Sequence, residues 1–84
     1  MMPIHELLNR IRWDQEFAKA EFRIGYYDRL ENAIILVSLQ QVVQEPGDHF
    51  AMKVMDEGGI VHVVPFHRIK EVYRNDELIW KREH

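Results

Sequence analysis

Apolar residues repeat with a helical period near the start of the chain. Positions i, i+3, i+4 and i+7 are occupied by Ile4, Leu7, Leu8 and Ile11. This spacing places the four side chains on one face and predicts an amphipathic helix over residues 3–12. Pro3 suits the first turn of that helix, and Arg10 and Arg12 suit its carboxyl end, where cations complement the helix dipole. Residues 15–20 are ambiguous between a loop and a second helical turn.

From residue 21 onward the apolar period changes to two, which is the period of a β-strand. One face of this strand carries Phe22, Ile24 and Tyr26. Residues 33–37 form a continuous apolar run and predict a buried strand. A turn at residues 28–32 joins the two strands into a hairpin. Ser38 suits the cap of a short helical turn that follows the second strand.

The second half of the chain repeats this strand–turn–strand pattern. Residues 49–56 alternate in polarity, residues 56–59 contain two glycines suited to a hairpin turn, and residues 60–64 form the return strand. Pro65 ends that strand because proline cannot donate a hydrogen bond into a ladder. A single turn is expected at residues 66–69. Two further short strands are predicted at 70–74 and 78–82, around a tight turn at 75–77.

Together these elements predict an α+β fold. We expect an amino-terminal helix packed on a curled, mostly antiparallel sheet of about six short strands, because successive hairpins generate antiparallel pairing. The alternative is a small, partly closed β-barrel with a helix. At 84 residues the chain is expected to form a single domain over residues 1–84. The expected core consists of Ile4, Leu7, Leu8, Ile11, Phe22, Ile24, Ile35, Val37, Val54, Val64 and Val72.

Composition narrows the classes of protein that fit this pattern. The chain has no cysteine, so it has no disulfide and no thiol nucleophile, and apolar packing must supply the stability. A hydrophobic content of 46% makes such a core feasible. The longest uncharged apolar-rich run, residues 32–44, is too short to span a bilayer, and residues 1–13 lack the apolar stretch of a secretory signal. We therefore expect a cytoplasmic protein without a membrane partner.

The formal net charge of −3 argues against a general nucleic-acid coating protein, but the charges are unevenly placed. Residues 30–67 hold one base, Lys53, against five acids, whereas residues 68–84 hold five bases against four acids. Residues 1–29 hold five of each. An anionic partner should therefore meet the two ends of the chain and not its middle. Ordinary solvated surface charge is the alternative interpretation.

Motifs for catalysis and for metal binding are missing from the sequence. The five histidines show no His-Glu-x-x-His spacing, and His62, flanked by valines, is expected to be a half-buried sheet residue. Ser38 is the only serine, lacks a nucleophile elbow and suits a capping role better. No glycine-rich phosphate loop occurs. The sequence thus predicts no catalytic residue, no metal and no cofactor.

Four segments that each place an aromatic residue within two positions of an arginine are Arg10-Ile11-Arg12-Trp13, Tyr26-Tyr27-Asp28-Arg29, Pro65-Phe66-His67-Arg68 and Tyr73-Arg74. Recognition of single-stranded RNA uses this combination, because a ring stacks on a base while an arginine holds a phosphate. Edge aromatics of a small sheet give the same pattern without any RNA. The sequence alone leaves both readings open.

Four blocks resemble the RNA cyclic group end recognition domain family, a small family of archaea and bacteria that also occurs as a module in larger eukaryotic proteins. They are residues 3–14, residues 24–29, residues 64–69 with Val72, and residues 77–82. The resemblance implies an RNA-binding module that recognises RNA 3′ ends, in particular 2′,3′-cyclic phosphate termini. The residues that match the polar motif positions of the family are Arg12, Trp13, Tyr26, Tyr27, Asp28, Arg29, His67 and Arg68.

Two other hypotheses remain beside RNA-end recognition. One is a protein–protein interaction domain that uses an exposed strand edge and has no nucleic-acid role. The weaker one is a phosphoesterase acting on cyclic phosphates, for which a two-histidine pattern would need His-x-Ser/Thr twice. His62-Val-Val and His67-Arg-Ile do not fit that pattern. The sequence therefore favours a protein that is not an enzyme.

Overall fold

The amino-terminal helix forms where the apolar stripe predicts it. The computed structural model describes residues 2–43 and 50–82. Helix α1 spans Ile4–Trp13, and Pro3 is its N-cap rather than part of its first turn. The carbonyl of Pro3 accepts a hydrogen bond from the backbone N–H of Glu6 at 3.1 Å. All four residues of the apolar stripe are buried.

A second short helix, α2, spans Gln15–Ala18 and resolves the ambiguity over residues 15–20. Asp14 separates the two helices. Its backbone N–H bonds to the carbonyl of Arg10, which ends α1, and its carboxylate accepts from the N–H of Phe17 at 3.2 Å, which begins α2. Asp14 therefore caps one helix on each side, a role that its short acidic side chain suits.

Seven strands follow the helices. They are β1 (Phe22–Asp28), β2 (Ala33–Ser38), β3 (Val42–Val43), β4 (Ala51–Met55), β5 (Val61–Pro65), β6 (Ile69–Arg74) and β7 (Glu77–Lys81). A four-stranded sheet has the order β2-β1-β6-β7, and a three-stranded sheet has the order β3-β4-β5. Every pairing is antiparallel. The first residues of the predicted strand 49–56 lie partly outside the described residues, and β4 begins at Ala51.

The α+β class and the antiparallel pairing are confirmed, but the strands form two sheets where one curled sheet was predicted. A 3₁₀ turn at Leu39–Gln41 separates β2 from β3, and another at Phe66–Arg68 separates β5 from β6. Each turn interrupts a strand ladder at the point where the chain passes between sheets. Within the described ranges the strands do not close into a barrel. Ser38 caps the first turn, as predicted, and Gln41 completes the capping box.

The core lies between α1 and the inner faces of the two sheets. Ten of the eleven predicted core residues are buried, and Ile35 is partly buried against them. The prediction that residues 33–37 form a buried strand is wrong, because Ile34 and Leu36 are 42% and 52% exposed. β2 is an edge strand with one covered face, so alternate side chains reach solvent. Further core residues are Tyr26, Met52, Phe66, Ile69 and Trp80.

The last strand ties the ends of the described chain to the core. The indole Nε1 of buried Trp80 donates to the carbonyl of Met2 at 2.6 Å. The guanidinium of Arg82 donates from Nε to the carbonyl of Ile69 at 2.9 Å and from Nη2 to the carbonyl of Phe66 at 3.0 Å. Arg82 therefore holds both ends of the second 3₁₀ turn.

Turn geometry fixes the hairpins. Asn75 and Asp76 have φ of 50° and 67° and form the two-residue connection between β6 and β7, a conformation that matches strand twist. Gly59 has φ of 82° in the β4–β5 turn, as its position predicts. No helix in the described part of the chain is long and apolar enough to cross a bilayer.

We expect Leu8→Ala to lower the free energy of unfolding by about 2–5 kcal/mol, because Leu8 is only 2% exposed and truncation leaves a cavity in the core. Denaturant melts measure the change. Asn9→Ala is the matched control on the exposed side of α1 and should change stability by less than about 0.5 kcal/mol. A loss below about 0.5 kcal/mol for Leu8→Ala would contradict the packing of α1.

Arg82→Met should cost about 1–3 kcal/mol, because it removes the side-chain donor to the carbonyls of Ile69 and Phe66, of which that of Phe66 keeps only the N–H of Ile69 among the described donors. The neighbouring variant Lys81→Met is the control, since Lys81 is exposed, and it should be nearly neutral. Thermal or chemical melts of the two variants provide the comparison. Equal stabilities would show that Arg82 does not hold the turn.

Candidate functional site

A small cleft lies where β1, β5 and the second 3₁₀ turn meet. Its volume is about 180 Å³. Its lining residues are Tyr26, Tyr27, Asp28, Arg29, Leu30, His62, Val63, Val64 and Arg68. We call it the tyrosine–arginine cleft. Five of the eight sequence-predicted site residues line it, although they come from two blocks separated by about half of the chain.

The strand β1 brings two consecutive tyrosines to the cleft. Neighbouring residues of a regular strand point to opposite faces. The register between β1 and β6 shifts between Gly25 and Tyr26, and such an irregularity re-aims the side chains beside it. Tyr26 is buried at 9% exposure, whereas Tyr27 is half-buried. The hydroxyl of Tyr27 hydrogen-bonds the side-chain oxygen of Asn32.

Asp28 orders the loop that presents Arg29. Its Oδ1 accepts hydrogen bonds from the backbone N–H of Leu30 at 2.8 Å and of Glu31 at 3.4 Å. A short acidic side chain that bonds the backbone two residues later makes a local turn. The role of Asp28 in this structure is therefore to shape the β1–β2 loop, and the adjacent guanidinium of Arg29 lies at the cleft.

Arg68 reaches the cleft from the turn that Arg82 holds. Within residues 2–43 and 50–82, no ion pair or hydrogen bond involves its guanidinium, and its Nε is buried without a partner. Asp28 also lines the cleft, but these two described side chains form no ion pair or hydrogen bond with each other. A buried N–H without a partner costs free energy. His67 occupies the same turn and is exposed, but it does not line the cleft.

His62 is a cleft residue that the sequence analysis did not place at the site. Its Nε2 lies 2.8 Å from Oδ2 of Asp56. It was expected to be half-buried but is exposed, because β5 is an edge strand of the three-stranded sheet. The hydrogen bond from His62, followed by that from the N–H of Ile60, lowers the pKa of Asp56. The sequence signal for this pair is an acid that opens a hairpin turn and a histidine early in the return strand.

The electrostatics of the cleft are two-sided. Within the cleft, Arg29 and Arg68 supply positive charge. An adjoining depression of about 370 Å³ is lined by four acids, Asp28, Glu31, Asp56 and Glu57. Tyr26 lines both spaces. Burial first, and then the charges of Asp28 and Asp56, raise the pKa of Tyr26. A tyrosine hydroxyl is protonated at neutral pH even without such a shift, so that of Tyr26 is available as a hydrogen-bond donor.

Arg12 and Trp13 are not brought to this cleft. Arg12 lines a separate shallow groove with Leu39 and Val42, and Trp13 is 70% exposed at the end of α1. Leu39 directly follows Ser38, and Ser38 pairs with Arg23 near the start of β1, so this groove lies at that end of the strand. The cleft lies at the other end of β1. The two α1 residues and the cleft thus occupy opposite ends of the hairpin.

The part of the chain that the structure describes contains no cluster of side chains suited to bind a metal ion. There, histidine and carboxylate side chains do not form a cluster of three or more that could hold a metal ion. The His62–Asp56 pair offers two donors, and a stable zinc site takes three or four. The arrangement is suited to hydrogen bonding and charge recognition of an anionic group.

Comparison with known proteins gives one match. No curated protein and no solved structure matches the chain significantly. A sequence model of the MJ1316 RNA cyclic group end recognition domain matches residues 1–82, which is nearly the whole chain. This match supports a role in RNA binding in general and confirms the resemblance carried by the four sequence blocks. The chain therefore belongs to the MJ1316 RNA cyclic group end recognition domain family.

Proposed function

We propose that this protein is a binding module for RNA 3′ ends and that its tyrosine–arginine cleft takes a terminal 2′,3′-cyclic phosphate. The observation that carries this proposal is the guanidinium of Arg68. It has no hydrogen-bonding partner among the described residues, and it lines a cleft that also contains two tyrosines. An anion with several acceptor oxygens supplies the missing partner. Family membership gives the class of ligand.

The size of the cleft suits an end group better than a whole nucleotide. Pockets that enclose drug-sized ligands measure about 300–1,000 Å³. The tyrosine–arginine cleft, at about 180 Å³, is smaller. In the proposed complex it encloses the cyclic phosphate, and the attached base lies outside. The terminal N–H groups of the Arg68 guanidinium hold the phosphate oxygens, since its Nε is buried, and Arg29 adds a second positive charge.

The two tyrosines have different roles in this proposal. The hydroxyl of Tyr26 is protonated at neutral pH, as that of any tyrosine is, and lines the cleft, so it donates to a phosphate oxygen. The hydroxyl of Tyr27 is already engaged with Asn32, so Tyr27 offers its half-buried ring for stacking on the terminal base.

The acids beside the cleft give a reason for selecting a cyclic end. A cyclic phosphate carries one negative charge, whereas a phosphate monoester carries about −1.5 to −2 at pH 7. Asp28 and Asp56 lie close enough to raise the pKa of Tyr26 and so to repel additional negative charge. In the proposed complex the arginines attract the single negative charge of the cyclic phosphate, and the nearby acids disfavour the additional negative charge of a monoester.

Recognition without catalysis is part of the proposal. Ring opening needs an activated nucleophile and acid–base groups on both sides of the phosphate. His62 is the single histidine in the cleft lining, and its Nε2 is engaged with Asp56. The histidine of the neighbouring turn, His67, is not in that lining.

A protein–protein interaction domain is the second candidate, favoured by a different surface. The outer face of the three-stranded sheet exposes Val43, Met55, Val61 and Val63 to between 42% and 62%. Its strand β5 pairs with β4 alone among the described strands. A free strand edge beside exposed apolar side chains suits the addition of a partner strand.

The end-recognition proposal predicts an order of affinity for one short RNA sequence with three different 3′ ends. The 2′,3′-cyclic phosphate should bind most tightly, the 3′-monophosphate less tightly, and the 3′-hydroxyl most weakly. Affinity should also fall as salt rises, because phosphate contacts release counterions. Fluorescence anisotropy at two salt concentrations measures both effects. Equal affinities for the three ends would remove end recognition, and absence of RNA binding would favour the protein-interaction candidate.

The same titration samples test the absence of catalysis. After prolonged incubation the cyclic-phosphate RNA should be recovered unopened, as judged by gel or mass spectrometry. Ring opening that follows the purified protein, and that disappears in His62→Gln but persists in His67→Ala, would replace the binding module by a phosphoesterase.

Arg68→Lys tests the arginine itself, because lysine keeps the charge and loses the two-pronged geometry. We expect an unchanged melting temperature and a loss of about 1–2 kcal/mol in binding of the cyclic-phosphate RNA, which is roughly 5–30-fold. Arg23→Lys is the matched control, since Arg23 lies early on β1, away from the cleft, and pairs with Glu21 and Asp76. A drop in stability for Arg68→Lys with a proportional loss of binding would assign Arg68 a structural role instead.

A further inference from the structure

A second and larger cleft lies between the helices and the β6–β7 hairpin. Its volume is about 520 Å³, within the range of small-ligand sites. It is lined by Met2, Leu7, Arg10, Phe17, Arg74, Glu77, Ile79, Trp80 and Lys81. We call it the helix–hairpin cleft. It shares no lining residue with the tyrosine–arginine cleft.

Positive charge is concentrated on this cleft. Its lining contains three cations, Arg10, Arg74 and Lys81, and one carboxylate, that of Glu77. The guanidiniums of Arg10 and Arg74 lie 4.1 and 5.2 Å from the centroid of the same ring, that of Phe17. Two like charges near one ring repel each other, and an anion bound close to both relieves this repulsion.

The hydrogen bonding of these cations is incomplete. Arg74 has a buried Nε without a partner in the described structure. Arg10 contacts Asp14 at 3.6 Å, a partly exposed pair that contributes little. The side chain of Lys81 is exposed at the rim and takes part in none of the side-chain hydrogen bonds or ion pairs of the described residues. An acceptor-rich anion would therefore find donors here that the protein does not satisfy.

An apolar wall completes the cleft. Leu7 and Trp80 are buried beneath it, and Phe17 and Ile79 are partly open to it. A ligand that combines a flat apolar group with an anion matches both halves of this lining, since aromatic and guanidinium planes stack on nucleobases. Nucleotides have this combination.

We propose that the helix–hairpin cleft binds a nucleotide, with its phosphate at Arg10, Arg74 and Lys81 and its base against the apolar wall. Two sources share this chemistry: a free mononucleotide, and an internal nucleotide of an RNA whose 3′ end occupies the tyrosine–arginine cleft. The RNA source rests on the proposed function. Arg74 pairs with Phe22 at the start of β1, and the other cleft lies at Asp28, so the two are about 20 Å apart along the strand.

The indole N–H signal of Trp80 reports on this cleft in ¹⁵N-correlated NMR spectra, and Trp13→Phe identifies which of the two indole signals it is. We expect saturable shifts of the Trp80 signal on addition of AMP and smaller shifts with adenosine, which lacks the phosphate. A shift with a ten-nucleotide RNA but not with AMP assigns the site to RNA alone. No shift with either ligand overturns the proposal.

Lys81→Glu supplies the affinity test. It should weaken binding of the ligand that shifts Trp80 by about threefold to tenfold, because one attractive charge becomes repulsive. Lys19→Glu is the control: it makes the same charge change at an exposed lysine outside the lining. Equal losses of affinity in the two variants would show that the effect depends only on the net charge of the protein and would overturn the proposal.

This experiment can contradict each of the two proposals independently of the other. Lys81→Glu should lower affinity for ten-nucleotide RNAs with cyclic and hydroxyl ends alike and leave the ratio between them unchanged. Arg68→Lys should reduce that ratio and leave the Trp80 shift unchanged. If the unsubstituted protein shows no end preference but does show the Trp80 response, the proposed function is contradicted; if it shows the end preference but no Trp80 response, the nucleotide site is contradicted.

Discussion

The hydrogen bonds from Arg82 to the carbonyls of Phe66 and Ile69 are the constraint on which the arrangement of this molecule depends. These carbonyls bracket the 3₁₀ turn that carries the chain from the three-stranded sheet to the four-stranded sheet. A short turn leaves carbonyls with few ladder partners, and Arg82 donates to the carbonyl of Ile69 and adds a second donor to that of Phe66, which also accepts from the N–H of Ile69. Because the same turn presents Arg68, the last strand sets the position of the cleft as well as the relation between the sheets.

Edge strands explain the features that the apolar pattern misassigned. The run at residues 33–37 has the composition of a doubly covered strand, yet β2 borders only β1, and its outer side chains are open to solvent. His62 on β5 is exposed for the same reason. A single sequence records which residues are apolar but not how many neighbouring strands each strand has. The positions of the strands were therefore predicted well, whereas the exposure of the outer side chains on edge strands was not.

Local signals predicted the elements more successfully than the site. The stripe on α1, the cap at Ser38 and the glycine at position 59 act over a few residues, so their outcome is readable in sequence. The site depends on which strand ends meet. Tyr26 and Arg68 converge because β1 lies next to β6, whereas Arg12 and Trp13 remain at the other end of the hairpin. Residues that match the motif positions of one family do not necessarily lie at the same place in the structure.

Local charge, and not the net charge, decides what an anion meets on this surface. Beside Tyr26 lie the acids Glu31, Asp56 and Glu57, while the arginines come from the loop after β1 and from the second 3₁₀ turn. In the proposed complex, an approaching polyanion is repelled by one side of the cleft and attracted by the other, which orients it before contact. Binding as proposed would favour ligands that place one charge at the arginines and keep further charge away from the acids. The end of an RNA strand would satisfy that geometry, whereas a continuous backbone crossing the cleft would bring a phosphate against Asp28 and towards Asp56.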